Sequence, residues 1–206
     1  MLKRLVDVGG AVAGLLVLSP VMLVVAVLVY LRMGAPILFL QERPGYKGAP
    51  FVLLKFRTMS ERRDHAGALL PDEQRVTRLG RFLRRTSLDE LPSLVNVLRG
   101  DMSLVGPRPL LMEYLDLYPP EFARRHDVKP GLTGWSQIHG RNDMTWERKF
   151  ALDVWYVDHR GFWLDAGILA ATLGTVFRRE GITPAGAEST PKYRGPCERK
   201  SDEVSV

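Results

Sequence analysis

The chain has 206 residues, 25% of them charged and 46% hydrophobic, with a formal net charge of +6. That length suits one domain with a sizeable core and argues against two. A single cysteine, Cys197, excludes a disulfide framework and a thiolate metal site, and His65, His126, His139 and His159 show no zinc-like pairing. No segment repeats, and the positive excess points to an anionic partner: a phospholipid surface, a phosphorylated substrate or nucleic acid.

The first element is apolar. Val8 to Leu31 runs for 24 residues without a charge. A signal peptide has an apolar core of about 7–15 residues followed by small residues, whereas this run ends in Tyr30-Leu31-Arg32 and reads as a membrane anchor. Ser19-Pro20 divides it into two arms of 11 residues. Each arm is roughly 16 Å long, about half of a ~30 Å hydrocarbon layer. Proline removes a backbone hydrogen bond, and the Ser19 hydroxyl is placed to satisfy a carbonyl so freed. A kinked spanning helix and a re-entrant helix-break-helix both fit this pattern. Cations at both ends, Lys3 and Arg4 before and Arg32, Arg43 and Lys47 after, favour the re-entrant form, because a spanning helix carries an asymmetry in such charges. We therefore take residues 1–34 as a re-entrant membrane anchor, 35–181 as a catalytic domain and 182–206 as a disordered tail. That tail is rich in Pro, Gly, Ser, Thr and mutually cancelling charges and poor in large apolar groups.

Ile37 to Gln41 and Phe51 to Met59 predict two strands of a small hairpin, with Pro44-Gly45 and Lys47-Gly48 supplying the turn. A polar loop, Asp64 to Gln74, follows. From Thr77 the period becomes helical: Leu79, Phe82 and Leu83 lie beside a basic stripe of Arg78, Arg81 and Arg85, which suits a membrane surface or a solvated face. Thr145 to Val157 predicts another amphipathic helix. Phe162 to Phe177 predicts an apolar buried or interfacial helix capped by Arg178, Arg179 and Gly181. Trp146, Trp155, Tyr156 and Trp163 fit headgroup level and core equally well. The fold class is thus α+β, mainly α-helical.

The stretch Arg84-Arg85-Thr86-Ser87-Leu88-Asp89-Glu90-Leu91-Pro92 carries the most chemistry. Ser87 and Glu90 match a capping box, and Pro92 is tolerated only near a helix start, so a helix is predicted to begin near Asp89 and stop at Gly100. Acids at that position can simply complement the helix dipole. They can also act: a helix N-terminus beside Arg84 and Arg85 is a phosphate site. Asp89 and Glu90 point in different directions, which suits separate roles, and Mg²⁺ takes one or two carboxylates plus substrate phosphates. Gly106-Pro107-Arg108-Pro109 stiffens the backbone around one guanidinium. Pro130-Gly131-Leu132-Thr133-Gly134-Trp135 and Gly140-Arg141-Asn142 are further glycine loops with a cation at hand. No Walker or dinucleotide-binding pattern occurs.

Five features occur in order: the Lys3-Arg4 start with Ser19-Pro20, Lys55-Phe56-Arg57-Thr58-Met59, Ser87-Leu88-Asp89-Glu90-Leu91-Pro92, Gly106-Pro107-Arg108-Pro109 and Pro130-Gly131-Leu132-Thr133-Gly134. Together they resemble the bacterial sugar transferase family, the monotopic phosphoglycosyl transferases, and especially its small PglC-like members. The resemblance covers residues 3–181 and leaves no room for the extra membrane helices of large members. It implies a monotopic enzyme on the cytoplasmic face of the bacterial inner membrane that depends on Mg²⁺ held by Asp89 and Glu90. Asp89 would attack the sugar-linked phosphate of a UDP-sugar, releasing UMP and forming a covalent phosphosugar intermediate. Polyprenyl phosphate, usually undecaprenyl phosphate, would then take the phosphosugar. Glu90 would assist through Mg²⁺ or proton transfer, and Arg84, Arg85, Arg108 and Arg141 would hold substrate. Ser136 and His139, where relatives often carry Ala and Asn, bear on the choice of sugar, for which a modified N-acetylated hexosamine fits the small members. Membrane phospholipids are the expected surroundings and nucleic acid is not an expected partner; a homodimer and downstream glycosyltransferases are further expected contacts. The alternatives are a glycosyltransferase that releases UDP and a non-catalytic basic membrane scaffold.

Overall fold

The structure is a computed structural model that describes residues 2–140 and 144–178 together with Tyr193 and Gly195. It is α+β and mainly helical. Helix α1 spans Leu2–Met33. Strands β1, Leu38–Pro44, and β2, Pro50–Phe56, form the expected antiparallel hairpin, with Leu38 opposite Phe56 and Arg43 opposite Phe51. A short helix α2, Asp72–Arg75, precedes α3, Arg78–Thr86, and α4, Ser93–Arg99. Strands β3, Ser103–Val105, and β4, Gly131–Thr133, pair in parallel, and between them lies the short helix α5, Pro120–Ala123. Helices α6, Trp135–His139, α7, Trp146–His159, and α8, Phe162–Arg178, complete the fold.

Ser19-Pro20 does not interrupt α1, which continues through both residues. The reason is local. Pro20 has no N–H to give to the Leu16 carbonyl one turn earlier, and the Ser19 hydroxyl donates to that same oxygen at 2.9 Å. The expected repair is therefore present, and it patches the helix where a break was expected. Ser19→Ala should lower the stability of the detergent-solubilised protein by about 1 kcal/mol, the worth of one such bond. An unchanged melting temperature would mean that the Leu16 carbonyl finds another donor.

Only one stripe of α1 is covered. Asp7, Ala11, Val25 and Val29 are buried, whereas Leu5, Leu16, Val17, Leu23, Val24 and Leu31 are exposed. An apolar surface of this kind belongs in a membrane or against a partner. The N-terminal arm packs on α4, β3 and α8 through Ala11 and Leu15 in a core with Leu94, Leu104 and Ile168. A Cβ on Gly10 would lie 2.6 Å from the Leu104 side chain, so glycine sets the depth of this contact. The C-terminal arm packs on β2 and α3: Val25 and Val29 are buried with Phe56 and Leu83. Polar bonds tie the same helix down. The Arg4 guanidinium donates to the Val97 and Leu98 carbonyls at 2.6 and 2.7 Å, which caps the C-terminal turn of α4. Asp7 accepts from Ser103 Oγ and Leu104 N, both at 2.9 Å, and Lys3 meets Asp165 at 2.6 Å. At the other end Arg57 donates to the Met33 carbonyl.

Among the aromatic residues whose setting was open, Tyr156 is buried and bonds Asp165 at 2.7 Å, and Trp146 packs against Tyr114 and Phe150. Trp163 is exposed and Trp155 stacks on Trp135. Arg179 and Gly181 lie outside the described residues, as does most of the tail. Tyr193 is a finding against composition, since it is buried on Tyr114, Tyr118 and Phe150 and its N–H donates to the Tyr114 hydroxyl at 3.1 Å.

Candidate active site

Asp89 and Glu90 sit in a single 3-10 turn, Leu88–Glu90, between α3 and α4. The expected capping box is not made. Ser87 adopts the left-handed conformation, φ 56°, and ends α3 instead of starting a helix, with no side-chain cap. Glu90 is committed elsewhere, so it cannot reach back to Ser87. The regular helix α4 begins at Ser93 and stops at Gly100, where φ of 92° suits glycine.

Polar side chains fix this turn to the hairpin. Ser93 Oγ donates to the Leu54 carbonyl at 2.7 Å, Asn96 Oδ1 accepts from Leu54 N at 3.0 Å, and Asn96 Nδ2 donates to the Val52 carbonyl at 2.7 Å. Ser93 and Asn96 thus stand in for a third strand on the free edge of β2, and both are fully buried. On the other flank α3 approaches the chain so closely that a Cβ on Gly80 would fall 1.9 Å from the Thr58 carbonyl oxygen. That contact brings Arg84 Nε to Thr58 Oγ1 at 3.1 Å.

The two carboxylates have opposite settings. Glu90 Oε1 accepts from Lys55 Nζ at 2.7 Å and from Arg108 Nη2 at 2.5 Å. Burial opposes ionisation of Glu90, but Arg108 and then Lys55 outweigh it and hold its carboxyl far below the usual carboxylate range. Asp89 is buried and makes no side-chain hydrogen bond among the described residues. Burial and the adjacent Glu90 charge push its carboxyl up, against the pull of Lys55, Arg108 and Arg84. One acid is locked as a permanent anion, and the other is bare and raised in energy when ionised, which is the condition of a nucleophile.

The sign of this coupling gives a test. Glu90 raises Asp89, so in Glu90→Gln the acid limb of the residual rate should move to lower pH. A limb that stays in place or moves up would show that the charge of Glu90 is not felt at Asp89.

Arg108 is held from behind. Arg125 Nη2 donates to the Arg108 carbonyl at 2.8 Å and to Asp153 Oδ2 at 2.7 Å, while Nη1 donates to the Tyr118 hydroxyl at 3.1 Å. Asp153 Oδ1 accepts from Ser136 Oγ at 2.6 Å. The Arg125 and Asp153 side chains are 1% and 4% exposed, so this is a charge pair removed from water.

Of the expected site residues, Asp89, Glu90, Arg84 and Arg108 converge. Arg85 is exposed on α3. Arg141 lies outside the described residues. Lys55, which pairs with Glu90, joins this group although residue-level reasoning passed it over; its signal was a cation inside the apolar run Phe51 to Phe56. Among the described residues no group of three or more His, Cys, Asp or Glu side chains could hold a metal. A Mg²⁺ completed by substrate phosphates and water needs only one or two carboxylates, so Asp89 and Glu90 fit that kind of site.

The chain belongs to the bacterial sugar transferase family, whose model matches residues 1–179. It is 53% identical over 195 residues to the uncharacterized sugar transferase EpsL of Bacillus subtilis, covering 95% of this chain and 96% of that one. It is 41% identical to the UDP-glucose:undecaprenyl-phosphate glucose-1-phosphate transferase of Caulobacter vibrioides over 83% of this chain and 68% of that protein. To the UDP-N-acetylgalactosamine-undecaprenyl-phosphate N-acetylgalactosaminephosphotransferase of Aeromonas hydrophila it is 37% identical over 85% of this chain, spanning 43% of that longer protein.

Proposed function

We propose that this protein transfers a sugar 1-phosphate from a UDP-sugar to polyprenyl phosphate, releasing UMP, through a covalent intermediate on Asp89. The observation that carries the proposal is the contrast within the acid pair: a bare, buried Asp89 beside a Glu90 neutralised by Lys55 and Arg108. In the first step a carboxylate oxygen of Asp89 forms a bond to the sugar-linked phosphorus while the phosphoanhydride bond to UMP breaks. In the second an oxygen of polyprenyl phosphate attacks that phosphorus and the Asp89 carboxylate leaves. No net proton is needed in either step. Lys55, Arg84 and Arg108 balance the charge of the diphosphate, and Glu90 holds Lys55 and Arg108 in register. Asp89 and Glu90 would hold Mg²⁺, which would supply further neutralisation of the phosphoryl oxygens.

Support for the substrate classes comes from relatives named for UDP-sugars and undecaprenyl phosphate. Those relatives carry different sugars, glucose in one and N-acetylgalactosamine in the other, so the sugar is left unassigned. A re-entrant anchor on the cytoplasmic face of the inner membrane requires α1 to bend at Pro20 while staying helical, as a proline kink allows, whereas a spanning helix carries its ends to opposite faces. Here residues of both arms, Ala11 and Leu15 as well as Val25 and Val29, pack on the same body. Self-association and docking of later glycosyltransferases belong to the same proposal. The test is to incubate purified protein with polyprenyl phosphate and a panel of UDP-sugars and to identify the nucleotide released. UMP is expected; UDP alone would overturn the proposal.

A further inference from the structure

Tyr193 comes from a stretch whose composition offers little to bury, yet it is 6% exposed. It lies 15 positions beyond Arg178, where α8 ends. Its sequence neighbours Lys192 and Arg194 are charged, so the ring is the group there that gains by leaving water. It enters a socket of four aromatic rings. The centroid separations are 5.0 Å to Phe150, 5.8 Å to Tyr114 and to Trp146, and 6.2 Å to Tyr118. Phe150 and Tyr114 meet it edge to face, at 86° and 76°, and Tyr118 stacks on it at 23°. Those are the arrangements that aromatic quadrupoles favour. Two polar bonds set its depth. The backbone N–H donates to the Tyr114 hydroxyl at 3.1 Å, and the Tyr193 hydroxyl donates to the Leu117 carbonyl at 3.4 Å.

Two of the socket rings also serve the active site. Arg125 Cζ lies over the Tyr118 and Phe150 rings, 5.6 Å from each centroid. The same guanidinium donates to the Tyr118 hydroxyl at 3.1 Å and to the Arg108 carbonyl at 2.8 Å, and Arg108 in turn meets Glu90. Contacts therefore run without a gap from Tyr193 through Tyr118 and Arg125 to the dyad.

Backbone structure does little to fix this path. Tyr118 belongs to the stretch between β3 and α5, whose regular structure among the described residues is one 3-10 turn, Met112–Tyr114. With no strand or helix ladder around it, the Tyr118 ring is placed by what packs on it. Removing Tyr193 would leave a void or admit water against Tyr118 and Phe150, and rings that lose a packing partner shift.

Taking the phosphoglycosyl transfer reading as given, we propose that Tyr193 is a positioning residue for the reaction. Its ring completes the aromatic socket, holds Tyr118 against Arg125, and so keeps Arg108 in place for the donor diphosphate. A residue beyond the last helix thus tunes the catalytic turn without touching substrate.

The test measures UMP release by the full chain in detergent or nanodiscs, well below the melting temperature of each variant so that lost folding does not read as lost rate. Tyr193→Ala should lower kcat/KM for the UDP-sugar by about tenfold, less than the roughly hundredfold that a misplacement of about 1 Å can cost. Tyr193→Phe keeps the ring and gives up only the long bond to Leu117, so it should stay close to wild type. Tyr118→Phe removes the hydroxyl that Arg125 uses and keeps the ring. In that background the path is already cut, and Tyr193→Ala should cost no more than about twofold further. A purely structural role predicts instead the same fold-loss with and without the Tyr118 hydroxyl, and that result would overturn the proposal. Equal impairment of Tyr193→Phe and Tyr193→Ala would overturn it too, by assigning the effect to the hydroxyl. Wild-type protein that releases UMP while Tyr193→Ala keeps pace sinks this role alone; wild-type protein that releases no UMP from any UDP-sugar sinks the reaction, and the role with it.

Discussion

Asp89→Asn is expected to abolish turnover while leaving the protein folded. The amide is nearly the same size as the carboxylate, and among the described residues Asp89 makes no side-chain hydrogen bond whose loss would disturb the turn. Substitution also removes a buried group that is costly to ionise, so stability should hold or rise. Under the proposed mechanism what disappears is the attacking oxygen, which both half-reactions need. A fall of at least about three orders of magnitude in UMP release is therefore expected, as for removal of other covalent nucleophiles. Intact-mass measurement of the wild type with a UDP-sugar and no lipid should detect an added phosphosugar that the Asn variant lacks. UMP release by Asp89→Asn near the wild-type rate would move the nucleophile elsewhere.

The second large effect lies behind the site. Asp153→Asn leaves Arg125 with an unpaired charge in a place where the two side chains are 1% and 4% exposed. Breaking such a pair costs about 3–5 kcal/mol, a large share of the roughly 5–15 kcal/mol typical of a whole domain. A marked drop in melting temperature should follow. The double variant Arg125→Met with Asp153→Leu separates structure from function. Replacing a buried pair by apolar groups is often neutral, so stability should largely return. The bond from Arg125 to the Arg108 carbonyl would still be missing, however, and activity should stay low. Recovery of both would show that the stiff Pro107–Pro109 loop holds Arg108 unaided.

What the residues alone disclosed follows composition and periodicity. The hairpin and α8 came through as apolar runs bounded by turn or cap residues, and α3 and α7 because a 3.6 repeat survives in each. Strands β3 and β4 are three residues each, too short for any period, and they pair across 28 positions of sequence, from Ser103 to Gly131. The dyad turn was misjudged for another reason. Ser87 and Glu90 have capping-box spacing, but Lys55 and Arg108 offer Glu90 two charged partners, and these prevail over one backbone N–H. Both are distant in sequence, so no local pattern foretold the outcome. Arg125 and Asp153 were equally silent, since a charged residue in a helix reads as solvated until its partner is known.

The bonds from Lys3, Arg4 and Asp7 have a practical consequence. They reach Asp165, the end of α4 and the start of β3, and Arg57 returns one to Met33. The anchor is thus one wall of the same core that holds Asp89, so no soluble enzyme can be obtained by cutting the chain at residue 34. A chain starting at residue 35 should strip Leu94, Leu104 and Leu83 of their cover, uncap α4 and aggregate on expression.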